Sequence, residues 1–296
     1  MTHPAESSLS SQGSGRRTTA EHIAAIEAQV RQHPGEASHR WALFQWLCVA
    51  RDWERAMRQL QVFGQLDKDS LPQVLACRDL VRAERWREEV MLGRRAPGYV
   101  LDAMPAWVQG MVQALELTAR GEFAAADDVR GRSLDVTPFT SGHAGDTAFD
   151  WIADSDSRLG PVCEIMTAGS YRWLPFDDVA SWQLAAPAKL MDLLWVSCSV
   201  TLHDGTLVRG FMPSRYPIPA AAHAGSNAAA DRDALDLGHQ TLWHECGRTG
   251  VIGDGRKTWV TSMGDVGLFD WPACTFARKG DSLHAPVSET RGASSQ

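Results

Sequence analysis

Residues 41–63 read WALFQWLCVARDWERAMRQLQVF, and this stretch decides the N-terminal half of the fold. Trp41, Leu43, Phe44, Trp46, Leu47 and Val49 surround most of one helix, the pattern of a helix packed between neighbours. After Arg51-Asp52 the helical period resumes with Trp53, Ala56, Met57, Leu60 and Phe63. Two helices joined by so short a turn must fold back on one another. Upstream, Ile23, Ile26 and Val30 mark a helix that opens at Thr18 and ends at Pro34-Gly35. Downstream, residues 71–92 read as one long helix, Pro105 opens another as its first helical residue, and Gly121-Glu122-Phe123 marks the turn into a last one closed by Pro138.

The spacing fits a degenerate tetratricopeptide-like repeat, whose period is about 34 residues. With Ala56 at the small position of a second helix, Trp53 takes the aromatic turn position and Lys68 the closing one. Pro34 closes the preceding unit, Ala114 takes a small position in a later copy, and Ala126 follows Ala56 by about two periods. The middle copy is poor, with Arg78 where a small residue is wanted.

After Pro138 the texture becomes one of short β-like runs between turn formers. Phe149-Asp150-Trp151-Ile152, Tyr171 to Pro175, residues 179–184 and residues 195–202 read as strands. Asp204-Gly205 joins the last of these to a returning strand at residues 207–212, a strong hairpin signal. Residues 220–233 are Ala/Gly/Asn-rich and read as a mobile loop, and further strands are expected near 241–245, 250–252, 257–261 and 266–269. One helical segment is expected around Ile165. The fold class is therefore α+β: TPR-like α-helical hairpins over residues 18–138, then a β-rich domain over 139–277 forming one sheet or a small barrel. A Ser/Gly tail at 1–17 and a polar tail at 278–296 flank them.

Of the 296 residues, 44% are hydrophobic and 22% charged, as in ordinary globular chains, and the net charge is −7. An acidic chain with only short basic runs is not expected to hold nucleic acid. Six scattered cysteines without a CxxC pair read as buried thiols in a reducing compartment. No apolar run has the length of a membrane span or the form of a secretory leader, so a cytoplasmic location is expected.

Few residues suggest chemistry. Asp154 and Asp156 with Arg158 could do acid/base work, a hydrolase-like alternative, but Asp and Ser more simply cap a turn while Arg158 pairs with a carboxylate. His239, His244 and Cys246 lack metal-site spacing. Gly253-Asp254-Gly255-Arg256-Lys257 lacks the order of a phosphate loop and reads as a hairpin turn. No metal or cofactor is expected, and most of the twelve tryptophans read as core.

Several stretches carry a family resemblance. They are WIADSDSRLGP at 151–161, Gly169, Tyr171, Trp173, Pro175 and Phe176, then DLLW at 192–195 and PSRYP at 213–217 with Arg215 and Tyr216. The helical half adds LFQWLC at 43–48, DWERA at 52–56 and GRRAP at 93–97. Over about residues 20–277 the chain resembles the ImpE/TagJ family of type VI secretion accessory proteins. The resemblance implies a non-enzymatic adaptor that binds the N-terminal helix of the small contractile-sheath subunit. Through that subunit it is linked to the AAA+ ATPase that recycles the sheath. A general scaffold binding through the β-domain is a further alternative. An apolar slot for the helix is expected from Trp41 and Gln45 on the first hairpin and Val108, Met111 and Leu115 on the later one.

Overall fold

The computed structural model describes residues 17–217 and 229–278; the expected tails fall almost wholly outside them. Six helices come first: α1 (Thr19–Gln32), α2 (Ala37–Val49), α3 (Trp53–Leu66), α4 (Leu71–Met91), α5 (Ala106–Ala119) and α6 (Phe123–Asp135). Local chemistry sets their limits. Thr18 and Glu21 form a reciprocal capping box at the start of α1, and the Asp52 carboxylate accepts from the Arg55 backbone N–H to begin α3. Pro105 stands just ahead of α5 as its N-cap, not inside it. The long helix expected at 71–92 is α4, and α2–α3 and α5–α6 pack as consecutive pairs.

The end of α2 shows a conflict between backbone and side chain. Arg51 N–H reaches the Cys48 carbonyl and Asp52 N–H the Leu47 carbonyl, closing the helix by the double bond typical of a left-handed cap. Arg51 occupies the position usually given to glycine, with φ of 59°.

Among the described residues the strands are β1 (Gly98–Tyr99), which lies between α4 and α5, and then β2 (Gly142–Ala144), β3 (Thr147–Phe149), β4 (Ile152–Asp154), β5 (Val162–Thr167), β6 (Ser170–Pro175), β7 (Val179–Leu184), β8 (Trp195–Leu202), β9 (Leu207–Pro213), β10 (Arg215–Tyr216), β11 (Thr241–Cys246), β12 (Gly250–Arg256), β13 (Thr258–Thr261), β14 (Gly264–Gly267) and β15 (Ala273–Phe276). They form an open nine-stranded sheet, β1-β6-β5-β9-β8-β7-β15-β2-β3, and two three-stranded sheets, β10-β12-β11 and β14-β13-β4. Neither the single sheet nor the closed barrel foreseen from the sequence describes this arrangement. The hairpin at Asp204-Gly205 joins β8 to β9 as read.

Four local expectations are corrected. The helix foreseen around Ile165 is β5, buried from Val162 to Met166; a strand covered on both faces reads as a continuous apolar run and loses the alternation that marks a strand. The strand foreseen at 149–152 is split, since β3 ends at Phe149 and β4 begins at Ile152 in another sheet. The turn foreseen at 253–257 lies mostly within β12, and the chain reverses at 247–249 instead. Gly253 serves close packing, because a Cβ there would sit 2.3 Å from the Tyr216 ring. The loop foreseen at 220–233 ends in a helix, α7 (Ala229–Asp236), while residues 218–228 are outside the described set.

The apolar core crosses the boundary between helices and strands. One buried cluster holds Phe44, Leu47 and Leu60 together with Tyr171, Trp173 and Trp195. A second, built around Trp182, Trp259 and Phe176, belongs to the strands. Residues 17–140 expressed alone would expose the face that Trp173 and Trp195 cover. We expect that fragment to show no cooperative thermal transition by circular dichroism; a sharp melt would contradict a shared core.

Candidate functional site

The residues singled out by the signature stretches converge on the junction between helices and strands, where charge is buried. Asp154 closes β4, and Asp156 and Arg158 lie in the turn after it. Asp154 Oδ1 accepts from the Asp156 N–H at 3.0 Å, and the Arg158 guanidinium grips the Asp156 carboxylate, with Nη2 at 2.5 Å from Oδ2. Gly253 N–H of β12 also donates to Asp156, at 3.0 Å. The capped turn with a local ion pair is thus the arrangement present. Trp151, half-buried, accepts at its carbonyl from Ser262 N–H.

The turn is one end of a larger cluster that the sequence did not reveal. Lys257, 0% exposed between β12 and β13, forms ion pairs with Asp154 and with Glu164 of β5, the latter at 2.5 Å. Glu164 is also held by a two-point contact from Arg87 of α4, at 2.7 and 2.9 Å, and by the Tyr171 hydroxyl at 2.6 Å. Arg87 bonds Glu84 and the Arg215 carbonyl, each at 3.0 Å. Glu84 accepts from the Trp195 indole at 2.8 Å. The Tyr216 hydroxyl lies 2.7 Å from Asp154 Oδ1.

Arg215 extends the junction to the helical hairpin. Its guanidinium donates to the Cys48 and Val49 carbonyls at the end of α2, both at 2.8 Å, and to the Asp236 carbonyl of α7 at 2.7 Å. These carbonyls lie at helix C-termini, where a cation is favoured. Arg51 donates to the Tyr216 carbonyl at 2.9 Å and lies 3.6 Å from Asp236. That contact accounts for arginine at a left-handed position: a glycine would relieve the backbone and lose the bond. Arg232 of α7 pairs with Asp236 and Asp254, and Asp233 accepts from the Thr19 N–H at the start of α1.

Burial and pairing compete over the charges. Burial alone would raise the Glu164 carboxyl, but Arg87 and Lys257 outweigh it and hold it well below the usual carboxylate range. Burial pushes Asp154 up to about 6 despite Lys257 beside it, with Glu164 and Asp156 adding repulsion. Lys257 is itself raised, Asp154 and Glu164 overcoming the burial that would lower it. Both partners of one ion pair rise, Asp154 through burial first and Lys257 through the two carboxylates beside it. Burial, and then Arg51, push Arg215 down to about 9.

Chemically this is a joint. Asp154 and Asp156 are 2% and 0% exposed and their oxygens are occupied by neighbours, so they do not face a polar cavity as a hydrolytic site would require. Among the described residues no group of three or more His, Cys, Asp and Glu could hold a metal ion, and His239 and His244 lie 5 residues apart at and before β11. No helix among them is long and apolar enough to cross a membrane.

The expected slot is only partly open. Trp41 and Gln45 are half-buried on α2, with the Trp41 ring 5.2 Å from both Phe44 and Phe63. Val108, Met111 and Leu115 are instead 0%, 1% and 3% exposed. Met111 packs towards Gly160 of the signature turn, and the space left beside Ser157, Arg158 and Ile252 is a void of about 10 Å³. The chain's own β-half covers this side of α5, a tertiary contact that helical periodicity cannot reveal.

The chain is similar to known proteins in sequence and in fold. Residues 146–275 match the model of a family described as ImpE protein. The chain is 36% identical over 249 residues to the type VI secretion system accessory component TagJ of Pseudomonas aeruginosa, covering 84% of each. The crystal structure of protein VPA1032 from Vibrio parahaemolyticus, 22% identical, superposes with a TM-score of 0.78 over 90% of this chain and 95% of that one, a likeness of fold.

Two outcomes follow from the charge cluster. Glu164→Gln leaves Arg87 and Lys257 buried without their shared counter-charge and should cost about 3–5 kcal/mol in urea unfolding. Glu89→Gln, which breaks an exposed pair with Arg94, should cost under about 1 kcal/mol. Asp154 titrates near 6 when folded and near ~3.9 when unfolded. Its proton-linked stabilisation is full below the unfolded value and is lost as pH rises through the folded one. Between pH 4 and 7 the wild-type protein should therefore lose stability relative to Asp154→Asn; parallel pH profiles would rule this out.

Proposed function

The chain belongs to the ImpE family, that of the accessory component TagJ, and from that premise we propose that it serves a type VI secretion system as an accessory adaptor that works by binding, not by bond-making. The observation that carries this reading is the 36% identity spanning both the helical and the β-rich half of the TagJ relative. The junction supports it, because Arg215 of the signature stretches and the buried Arg87–Glu164 pair are consumed in holding the two halves together.

In this reading the helical half has TPR-like geometry and captures the N-terminal helix of the small sheath subunit, in the cytoplasm, linking the protein indirectly to the ATPase that recycles the contracted sheath. The part of the expected slot still at the surface is the α2 face bearing Trp41 and Gln45, where an aromatic ring with neighbours on one side and solvent on the other can act as an anchor. Met111 and Leu115 support the hairpin from within.

The experiment is a pull-down of the small sheath subunit with and without its first helix. Capture of the intact subunit and loss of capture on truncation are expected. Trp41→Ala should weaken binding by about ten-fold or more if this ring is an anchor. Gln45→Arg, which crowds the same face without touching the core, should act in the same direction at an unchanged melting temperature. Equal capture of the truncated subunit would refute the partner, and unchanged affinity of both variants would refute the face.

A further inference from the structure

Helix α4 carries an outward seam that nothing in the described chain covers. Leu71, Leu75, Arg78, Arg82 and Arg85 follow one another at steps of 4, 3, 4 and 3 residues, and all five are exposed. The same step continues to Glu89 and Leu92, the latter 39% exposed. Alternating steps of three and four keep residues on the line along which one helix packs against another. Over the 21 residues of α4 this line is about 31 Å long. Its ends are apolar and its middle is cationic.

The positive charge there is only partly neutralised from within. Arg78 and Arg85 make no hydrogen bond or ion pair among the described residues. Arg82 bonds Asp79 and the Gly169 carbonyl but keeps 61% of its side chain exposed. Glu89 is engaged with Arg94. The net charge of the whole chain is −7, so this basic line is local to one helix face.

A second feature adjoins it. The neighbouring face of α4, at Asp79, Leu80 and Ala83, forms one wall of a cleft of about 370 Å³. Met166 and Phe211 line the opposite side, where β5 and β9 meet through a single residue pair. Ser197 and the exposed Arg209 lie at its border. A cleft of this size takes one or two large apolar side chains, and Arg209 adds one cation to its lining opposite Asp79.

We propose that the α4 seam and this cleft form a docking surface for an acidic amphipathic helix of another protein. Carboxylates of that helix meet Arg78, Arg82 and Arg85, its apolar residues meet Leu71, Leu75 and Leu92, and one apolar side chain enters the cleft. Three arginines in the middle of the seam exclude a second copy paired seam to seam, since like charges would face each other. The inference does not rest on the Trp41 face or on the type VI assignment.

The test uses the full chain and a fluorescent synthetic 21-residue peptide, with leucines placed to meet the seam leucines and glutamates placed to meet the three arginines. A control peptide carries lysine in place of each glutamate. Fluorescence anisotropy should show the acidic peptide binding about ten-fold or more tightly than the control, with affinity falling as salt rises. Arg78→Glu/Arg85→Glu, which breaks no bond within the described chain, should reverse that preference. Ser197→Trp at the cleft border should weaken the acidic peptide. Equal binding of the two peptides, or an unchanged order in the double variant, would overturn the proposal. Undiminished binding of an acidic peptide broken by a central proline would overturn its helical form.

Discussion

The structure depends on one buried contact: Arg87 of a helix gripping Glu164 of a strand, with Lys257 on the far side of the same carboxylate. Each of these side chains would be costly to bury alone, and each is affordable only in the presence of the others. The contact joins the two halves of the chain, and the remaining junction forms around it. Asp154 shares Lys257, Tyr216 shares Asp154, and Arg215 beside Tyr216 closes the end of α2. The requirement that every buried charge find its partner fixes how helices and strands meet more narrowly than apolar packing does, because apolar residues tolerate small shifts and a two-point guanidinium contact does not.

Function follows from where the polar residues are used. A charged turn such as Asp154, Asp156 and Arg158 resembles reactive machinery when read as a string of residues. In three dimensions its carboxylate oxygens are occupied by the protein itself and buried. At the surface α2 shows the half-buried Trp41 ring and α4 a line of leucines and arginines, features suited to holding another chain. Family membership places the chain among type VI secretion accessory proteins, and binding at these surfaces is the role proposed for it.

The helices were legible because each carries its own limits. Thr18 with Glu21 opens α1, Asp52 opens α3, and the 3.6-residue period survives burial on one side. Strands with one open face were legible too, as were the hairpin at Asp204-Gly205 and the pairing of Arg158 with a carboxylate. The failures share one physical origin, tertiary contact between distant segments. β5 is buried on both faces and lost its alternation, so it read as a helix. Gly253 is required by the Tyr216 ring, not by a turn. Met111 and Leu115 sit on a regular helical face whose covering comes from residues more than forty positions away. Glu164 carried a usable signal, a single charge in the apolar run Val162 to Met166, which demands a buried partner. Nothing local could have named Arg87 or Lys257 as that partner.

The most direct test of the central claim is a double-mutant cycle on Arg87→Met and Glu164→Leu, scored for both stability and capture of the sheath subunit. If the pair acts as a joint, each single change should be strongly destabilising, and the double change should recover about 1–3 kcal/mol of the summed loss with capture intact. Additive losses, or a folded double variant that no longer captures the proposed partner, would contradict the account.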